Sequence, residues 1–128
     1  MIYEIANKPK RIETVLLDRA VSFACSYLKL DTDVVIEFET LQKHQCGFCD
    51  YDEEYAEAIV TVAKRLSQKE IIRTVFHELV HVKQYETGRL KHNKIWKGKL
   101  VESDDYENFP WEIEAFDLEE KMMKIFYG

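Results

Sequence analysis

Residues 74–85 read Thr74-Val75-Phe76-His77-Glu78-Leu79-Val80-His81-Val82-Lys83-Gln84-Tyr85. Two histidines four positions apart, His77 and His81, lie one above the other on the same face of a helix. At that spacing two imidazole nitrogens can reach one Zn²⁺ ion, which binds nitrogen ligands at about 2.0–2.1 Å. Glu78 lies about 100° around the helix from His77, so its carboxylate can reach a water on the metal instead of the metal itself. The stretch therefore predicts a helix that carries a metal site and a general base.

The residues around the histidines define a helix with one apolar face. Ser67 and Glu70 form the pattern of a capping box, which predicts the helix start, and Gly88 suits the helix end, giving a helix over 68–88. The core-facing arc is predicted to contain Ile71, Ile72, Val75, Phe76, Leu79 and Val82. His77 and His81 lie roughly opposite that arc and face a second space. A metal site explains this placement, and coincidental spacing is the alternative.

Length and charge narrow the class of protein. The 128 residues suit one domain spanning 1–128, and a net charge of −6 argues against a nucleic-acid partner. The first residues contain no apolar signal-peptide core, and no run approaches the about 20 apolar residues of a membrane span. Three cysteines, an odd number, fit a reducing compartment better than a disulfide framework. We therefore expect a cytoplasmic protein with no membrane partner.

The other periodic segments predict an α+β fold. An N-terminal helix is expected over residues 10–30, and a C-terminal helix over 110–127, where Pro110 suits the first turn. Residues 34–41 and 57–64 have the character of strands and indicate a small antiparallel or mixed sheet, in which we expect an antiparallel hairpin around a polar connection, 42–56. The inward stripe of the last helix is predicted to contain Trp111, Ala115, Leu118, Met122 and Ile125. The residues that recur at helical spacing in the first helix are Ile12, Val15, Leu16, Arg19, Ala20, Phe23 and Tyr27.

The polar connection contains a pair of cysteines, Cys46 and Cys49, with His44 two residues before them. A structural zinc site usually has four ligands, often from two such pairs, and the chain has no second pair. A redox pair is expected where a strand of a βαβ unit meets its helix, whereas this pair lies between strands. Free loop thiols are the favoured interpretation, and a small accessory metal site is the alternative.

A catalytic zinc site needs a third protein ligand as well as an open position for water. The candidates are His44, His92, the Cys46 and Cys49 thiols, Glu112 and Glu114. On the helical wheel of the last helix, Glu112 and Glu119 lie near the apolar stripe, whereas Glu114 lies towards solvent. A glutamate at the margin of a buried face needs a partner, and a metal ion is one. Alternatively, Glu112 and Glu114 are ordinary first-turn acids favoured by the helix dipole.

A known family combines these features. His77-Glu78-x-x-His81 followed by Glu112-Ile113-Glu114-Ala115 resembles the gluzincin pattern of zinc metallopeptidases, in which an ExxA motif on a later helix supplies a glutamate ligand. The resemblance implies His77, His81 and Glu112 as the Zn²⁺ ligands. The segments Trp96-Lys97-Gly98 and Pro110-Trp111-Glu112-Ile113-Glu114-Ala115 are similar to segments of small zincin-like proteins of phages and bacteria. The resemblance spans about residues 34–120 and implies a minimal zincin-like domain.

The resemblance implies an enzyme that hydrolyses peptide bonds. Glu78 is the expected general base, and Tyr106 is a candidate donor to the oxyanion, with simple packing near the last helix as the alternative. An extended peptide or protein substrate is expected to pair with an exposed strand edge. An acid commonly follows ExxA, but this chain has Phe116 there. Asp117 or Glu119 is then the expected substitute that orients a ligand histidine.

Two other classes of function compete with hydrolysis. A non-catalytic zinc-binding structural or regulatory protein of the phage type is the main rival, but a purely structural site has no use for a base at Glu78. A zinc-dependent nuclease is the weaker rival, because the acidic charge of the chain disfavours a nucleic-acid substrate.

Overall fold

The stretch that contains both histidines forms helix α2, Gln68–Glu86. Its start is the predicted capping box. The Ser67 hydroxyl accepts from the Glu70 backbone N–H at 3.3 Å, and the Glu70 carboxylate accepts from the Ser67 N–H at 3.1 Å. After the helix, Gly88 has a φ of 75°, a left-handed conformation that glycine adopts without steric cost. The predicted position of this helix is confirmed.

The computed structural model describes residues 1–128 and has an α+β architecture. Two further helices flank α2: α1 (Thr14–Leu28) and α3 (Pro110–Tyr127). A mixed four-stranded sheet has the order β1-β2-β4-β3 and contains β1 (Tyr3–Ala6), β2 (Asp33–Glu39), β3 (Gly47–Asp52) and β4 (Glu57–Ala63). A small antiparallel sheet follows α2 and contains β5 (Leu90–Lys91), β6 (Ile95–Trp96) and β7 (Lys99–Leu100). A short 3₁₀ helix, Tyr106–Asn108, precedes α3.

The predicted antiparallel hairpin is wrong. Strands β2 and β4 are neighbours in the sheet, but they pair in parallel, with Val34 opposite Ala58 and Phe38 opposite Val62. The polar connection between them contains β3, which pairs antiparallel to β4 at the edge of the sheet. The polar sequence of β3 hides its strand character, because an edge strand is only partly buried.

Both flanking helices form as predicted, and each buries some of the positions named from the sequence but not all of them. In α1, Val15 is 70 % exposed, whereas Leu17 and Val21 are fully buried. Apolar residues surround most of α1, so periodicity alone does not identify its inward face. In α3, Ile125 is 55 % exposed, and the buried face is rotated towards two glutamates, Glu112 and Glu119. These carboxylates can be buried because each has hydrogen-bond partners.

Helix α2 contacts both other helices as well as strands β3 and β4. Its Ile71, Val75 and Leu79 are fully buried in the main apolar core, as the sequence predicts. The opposite side of α2 faces α3 and the start of β3, and it carries the two histidines. None of the three helices combines the length and the apolar character that crossing a bilayer requires.

Strand β3 lies close against α2 because residue 47 is glycine. A Cβ atom at Gly47 would lie 2.5 Å from the carbonyl oxygen of Thr61 and 2.8 Å from Cγ2 of Thr74, a residue of α2. No side chain fits in that space without a shift of the backbone. The edge strand therefore approaches the histidine-bearing helix directly, and together they border the same cleft.

Candidate metal centre

Three buried side chains from two helices converge at one point. His77 and His81 lie one turn apart on α2, and each directs Nε2 at the carboxylate of Glu112 in the first turn of α3. His77 Nε2 lies 2.8 Å from Glu112 Oε1, and His81 Nε2 lies 3.1 Å from Glu112 Oε2. One ligand atom from each residue lies within 4.8 Å of the others, so this group can hold a metal ion.

The charges around the cluster favour a cation at the point where the three groups meet. Burial lowers the pKa of His77, but hydrogen bonds with Glu112 and Glu119 raise it to about 9. Burial raises the pKa of Glu112, but hydrogen bonds with His77 and His81 lower it to about 2. Burial also lowers the pKa of His81, but its hydrogen bond with Glu112 and the charges of the nearby carboxylates together raise it. A metal ion can take the place of the proton that these groups stabilise.

A hydrogen bond holds the second nitrogen of each imidazole ring. His77 Nδ1 donates to Glu119 Oε1 at 2.7 Å, and His81 Nδ1 donates to Gln84 Oε1 at 2.7 Å. The orientation of the Gln84 amide follows from its other end, where Nε2 donates to the carbonyl oxygen of Trp111 at 3.0 Å. With Nδ1 as the donor in both rings, the Nε2 lone pairs are available to a metal ion. The donor set of two imidazoles and one carboxylate fits Zn²⁺.

Ion pairs anchor both ends of this hydrogen-bond network. Arg73 donates to Glu119 at 3.0 Å, and the same carboxylate accepts the hydrogen bond from His77. At the other end, Glu114 accepts from Gln84 Nε2 at 3.1 Å and pairs with Arg89 at 2.6 Å. The expectation of a solvated Glu114 is wrong, because these two partners hold its carboxylate. The structure therefore brings Glu112 to the two histidines, whereas Glu114 contacts Gln84, the side chain that holds His81.

Phe116 occupies the position at which the gluzincin pattern has an acid. Its ring lies against the imidazole of His77, with centroids 4.6 Å apart. The carboxylate that reaches His77 comes from Glu119, about one turn later on α3, where the side chain is 4 % exposed. Asp117, the other predicted substitute, is exposed. His77 thus has a carboxylate partner in Glu119, although Phe116 occupies the position at which an acid was expected.

Glu78 lies beside the cluster and is not one of its three ligand residues. It is 8 % exposed and lines the same cleft as the two histidines. Burial raises the pKa of Glu78, and the nearby charges of His81 and His77 offset this effect only in part. A buried carboxyl group with a shifted pKa in a cleft is a candidate for proton transfer.

The cluster borders an open cleft of about 1020 Å³. Loop 42–46 and the start of β3 contribute one part of its lining. Arg65 holds this loop, since its guanidinium donates to the carbonyl oxygens of Lys43 at 2.8 Å and Gln45 at 3.1 Å. Aromatic and apolar side chains contribute another part, namely Tyr85, Leu90, Tyr106, Trp111 and Phe116. A cleft of this size and character can accept several residues of an extended peptide.

Tyr106 lines the cleft close to the metal cluster. Its ring packs edge to face against Phe109 with centroids 5.9 Å apart, so packing is one of its roles. Burial raises the pKa of the Tyr106 phenol, and the negative charge of Glu112 raises it further. The phenol therefore stays protonated and can act as a hydrogen-bond donor in the cleft.

The two loop cysteines also line the cleft, although they do not lie at the tip of a hairpin. Cys46 is exposed just before β3, Cys49 lies within β3, and both are free thiols. Burial raises the pKa of the Cys49 thiol, and the charges of Glu78 and Asp50 raise it further. Such a thiol is protonated and a poor metal ligand. Neither cysteine belongs to the metal cluster.

The other two histidines lie outside the metal cluster. His44 is exposed on the loop that borders the cleft. His92 is exposed after β5, and its Nε2 lies 3.3 Å from the carbonyl oxygen of Tyr51. Among the candidates for a third ligand, the structure therefore brings only Glu112 to His77 and His81.

Sequence reasoning missed two kinds of supporting residue. Gln84 follows His81 by three residues on α2, and this spacing alone places their side chains on one face of the helix. The signal for Gln84 was therefore present in the motif itself. Arg73 and Arg89 pair with glutamates of α3 that are 46 and 25 residues away, and no local pattern connects them.

Compared with protein-family models, curated proteins and solved structures, the chain matches none. Its function must therefore be inferred from the site itself.

Proposed function

We propose that the protein is a zinc-dependent metallopeptidase of the zincin type, with His77, His81 and Glu112 as the metal ligands. The observation that supports this proposal is the convergence of two Nε2 atoms and one carboxylate beside Glu78 in an open cleft. Two histidines and a glutamate form a ligand set that catalytic zinc sites use, and such a set leaves a position for water. When bound, a Zn²⁺ ion supplies Lewis-acid chemistry, because it lowers the pKa of water and polarises a carbonyl group.

Glu78 is the proposed general base. A carboxylate oxygen of Glu78 accepts a proton from the attacking water and later donates it to the leaving amine nitrogen as the C–N bond breaks. Glu78 lines the same cleft as His77 and His81, which supports this role, because a general base must lie within reach of the water that it activates. Tyr106 is the proposed donor to the oxygen that gains negative charge, since its phenol stays protonated in the cleft.

The proposed substrate is an extended peptide segment. Strand β3 is an edge of the mixed sheet, and its residues Gly47, Phe48 and Cys49 line the cleft. An edge strand has unpaired backbone N–H and C=O groups, which can pair with the backbone of a bound peptide. A peptide held in this way passes alongside Glu78 and the metal cluster.

A comparison of wild type with Glu78→Gln tests the proposal. Both proteins are loaded with Zn²⁺ and incubated with a mixed peptide library, and mass spectrometry records the cleavage products. We expect Glu78→Gln to keep its fold and one zinc ion but to lose at least about 100-fold in cleavage rate. Glu102→Gln removes a charge from an exposed glutamate outside the cleft and serves as the matched control.

Three outcomes would each contradict a different part of the proposal. Equal cleavage by wild type and Glu78→Gln would rule out Glu78 as the base. A wild type that retains zinc but cleaves no peptide would favour a non-catalytic zinc-binding protein. If purification without chelator gave no stoichiometric metal in wild type, and His77→Ala made no difference to the metal content, the metal assignment itself would be wrong.

A further inference from the structure

A patch of positive charge lies beside the cleft of this acidic protein. Residues 87–101 cover the β5–β7 sheet and contain five Lys and Arg but no Asp or Glu. The rest of the chain has 13 Lys and Arg against 24 Asp and Glu. The small sheet is therefore oppositely charged to the rest of the molecule. We call it the basic sheet, and its charged residues are Arg89, Lys91, Lys94, Lys97 and Lys99.

Three of these five cations are free to bind an external anion. Arg89 pairs with Glu114, and Lys94 donates to the carbonyl oxygen of Ser103 at 2.6 Å and lies near Asp104. The other three are exposed and form no ion pair within the chain, namely Lys91, Lys97 and Lys99. Lys99 pairs with Trp96 and lies on the same face of the small sheet as Leu90, whereas Lys91 lies on the opposite face. The positive field of the three lysines raises the local concentration of anionic partners around this sheet.

The tight turn of the basic sheet carries a lysine at a position that lysine does not favour. Lys97 and Gly98 connect β6 to β7 with φ values of 49° and 83°. Glycine and asparagine adopt this left-handed conformation readily, whereas a lysine there is strained. Lys97 is exposed at the tip of this turn. The ammonium of Lys97 lies 5.6 Å from the centre of the Trp96 ring, which supports its stem.

The basic sheet is continuous with the lining of the cleft. Leu90 of β5 lines the cleft, and the ring of Trp96 in β6 lies 6.3 Å from that of Trp111, another lining residue. Strand β3 borders the cleft as well, but it carries two exposed acids, Asp50 and Asp52. An acidic peptide segment is therefore repelled from β3 and attracted to the basic sheet.

We propose that the basic sheet docks an acidic segment of the substrate, next to the uncharged residues that enter the cleft. This inference rests on the proposed function for the identity of the substrate, but docking itself requires no hydrolysis. Charge complementarity with three unpaired lysines favours a run of Asp or Glu. A peptide is favoured over a nucleic acid because the basic sheet adjoins the cleft that the edge strand β3 borders, and the backbone of that strand can pair with a peptide.

Fluorescence anisotropy with the Glu78→Gln protein tests docking without cleavage. The probe is a labelled peptide with an uncharged apolar half followed by a run of glutamates, and its control has glutamines in their place. We expect the glutamate peptide to bind at least about tenfold more tightly at low salt, and we expect high salt to remove the difference. The triple variant K91E/K97E/K99E should abolish the preference. K10E/K64E/K121E has the same net charge and changes three exposed lysines elsewhere, so it should keep the preference.

Each outcome supports or overturns docking independently of catalysis. Equal binding of the two peptides, or equal loss of the preference in both triple variants, would overturn the proposal. A single-stranded oligonucleotide that bound more tightly than the glutamate peptide through the same three lysines would overturn the assignment to a peptide. The variant K91Q/K97Q/K99Q removes the charges without reversing them, and it should lose the preference even if the charge-reversal variant failed to fold. Because the protein tested lacks the proposed base, absence of peptidase activity in wild type would leave this result unchanged.

Discussion

Replacement of Gln84 by methionine should weaken the metal centre without changing any ligand. The Gln84 side chain is fully buried, accepts from His81 Nδ1 at 2.7 Å and donates to the carbonyl oxygen of Trp111 at 3.0 Å. Methionine has a similar length, but its sulfur accepts hydrogen bonds only weakly. The variant therefore leaves the His81 N–H without its partner while keeping the space filled.

The structure sets the size of the two expected effects. A buried donor that loses its acceptor costs about 1–3 kcal/mol, so we expect the free energy of unfolding to fall by about that amount. The loss of the group that orients a ligand histidine lowers metal affinity by about 10–100-fold, and we expect the same for zinc here. Urea unfolding in the presence of chelator measures the first effect, and competition with a chromogenic chelator measures the second.

Gln84→Glu is the matched control. Its carboxylate still accepts from His81 Nδ1, but it cannot donate to Trp111 and it lies next to the carboxylate of Glu114. We expect this variant to lose stability and yet to bind zinc within about threefold of wild type, a difference below 1 kcal/mol. The reasoning would be refuted if Gln84→Met bound zinc as tightly as wild type, or if both variants lost zinc affinity equally.

Three further changes test other parts of the structure. Glu112→Gln removes the anionic ligand and should lower zinc affinity by at least about tenfold in a chelator competition, whereas Glu114→Gln should stay within about threefold. Burial raises the pKa of Glu86, but its hydrogen bonds lower it below 4.5. Its stabilising contribution is therefore complete above the unfolded value and is lost as the pH falls through the folded one, so Glu86→Gln should flatten the acid limb of a plot of stability against pH. Gly47→Ala places a Cβ atom 2.5 Å from the Thr61 oxygen and should cost about 1–3 kcal/mol in thermal unfolding.

Local features made the central helix predictable. Ser67 and Glu70 are three residues apart, and the two histidines are four apart, so helical geometry alone relates them. Glu112 was predicted in a different way. The helical wheel did not distinguish a metal ligand from an ordinary first-turn acid at this position, and only the ExxA resemblance identified Glu112 as the ligand. The structure brings Glu112 to the histidines, and the metal that they hold remains a proposal.

Long-range features could not be predicted from local patterns. The parallel pairing of β2 with β4 depends on β3, whose mixed polar sequence does not alternate clearly. The helical wheel placed Glu119 near the apolar stripe of α3 but could not identify its partners, and its bonds to His77 and Arg73 make its burial favourable. Such partners come from a distant part of the chain, and their effect appears only in the folded protein.

Because α2 and α3 share the metal cluster, a bound cation would link the two helices. His81 and Glu112 are 31 residues apart, and the segment between the two helices has only two-residue strands and one short 3₁₀ turn. A cation bound by both helices is a reversible cross-link across this loop, and because it binds the folded site it stabilises the folded state by an amount that rises with the concentration of free metal. Its removal takes away one link between α2 and α3, so the availability of metal would affect how readily the C-terminal helix is exposed to proteolysis.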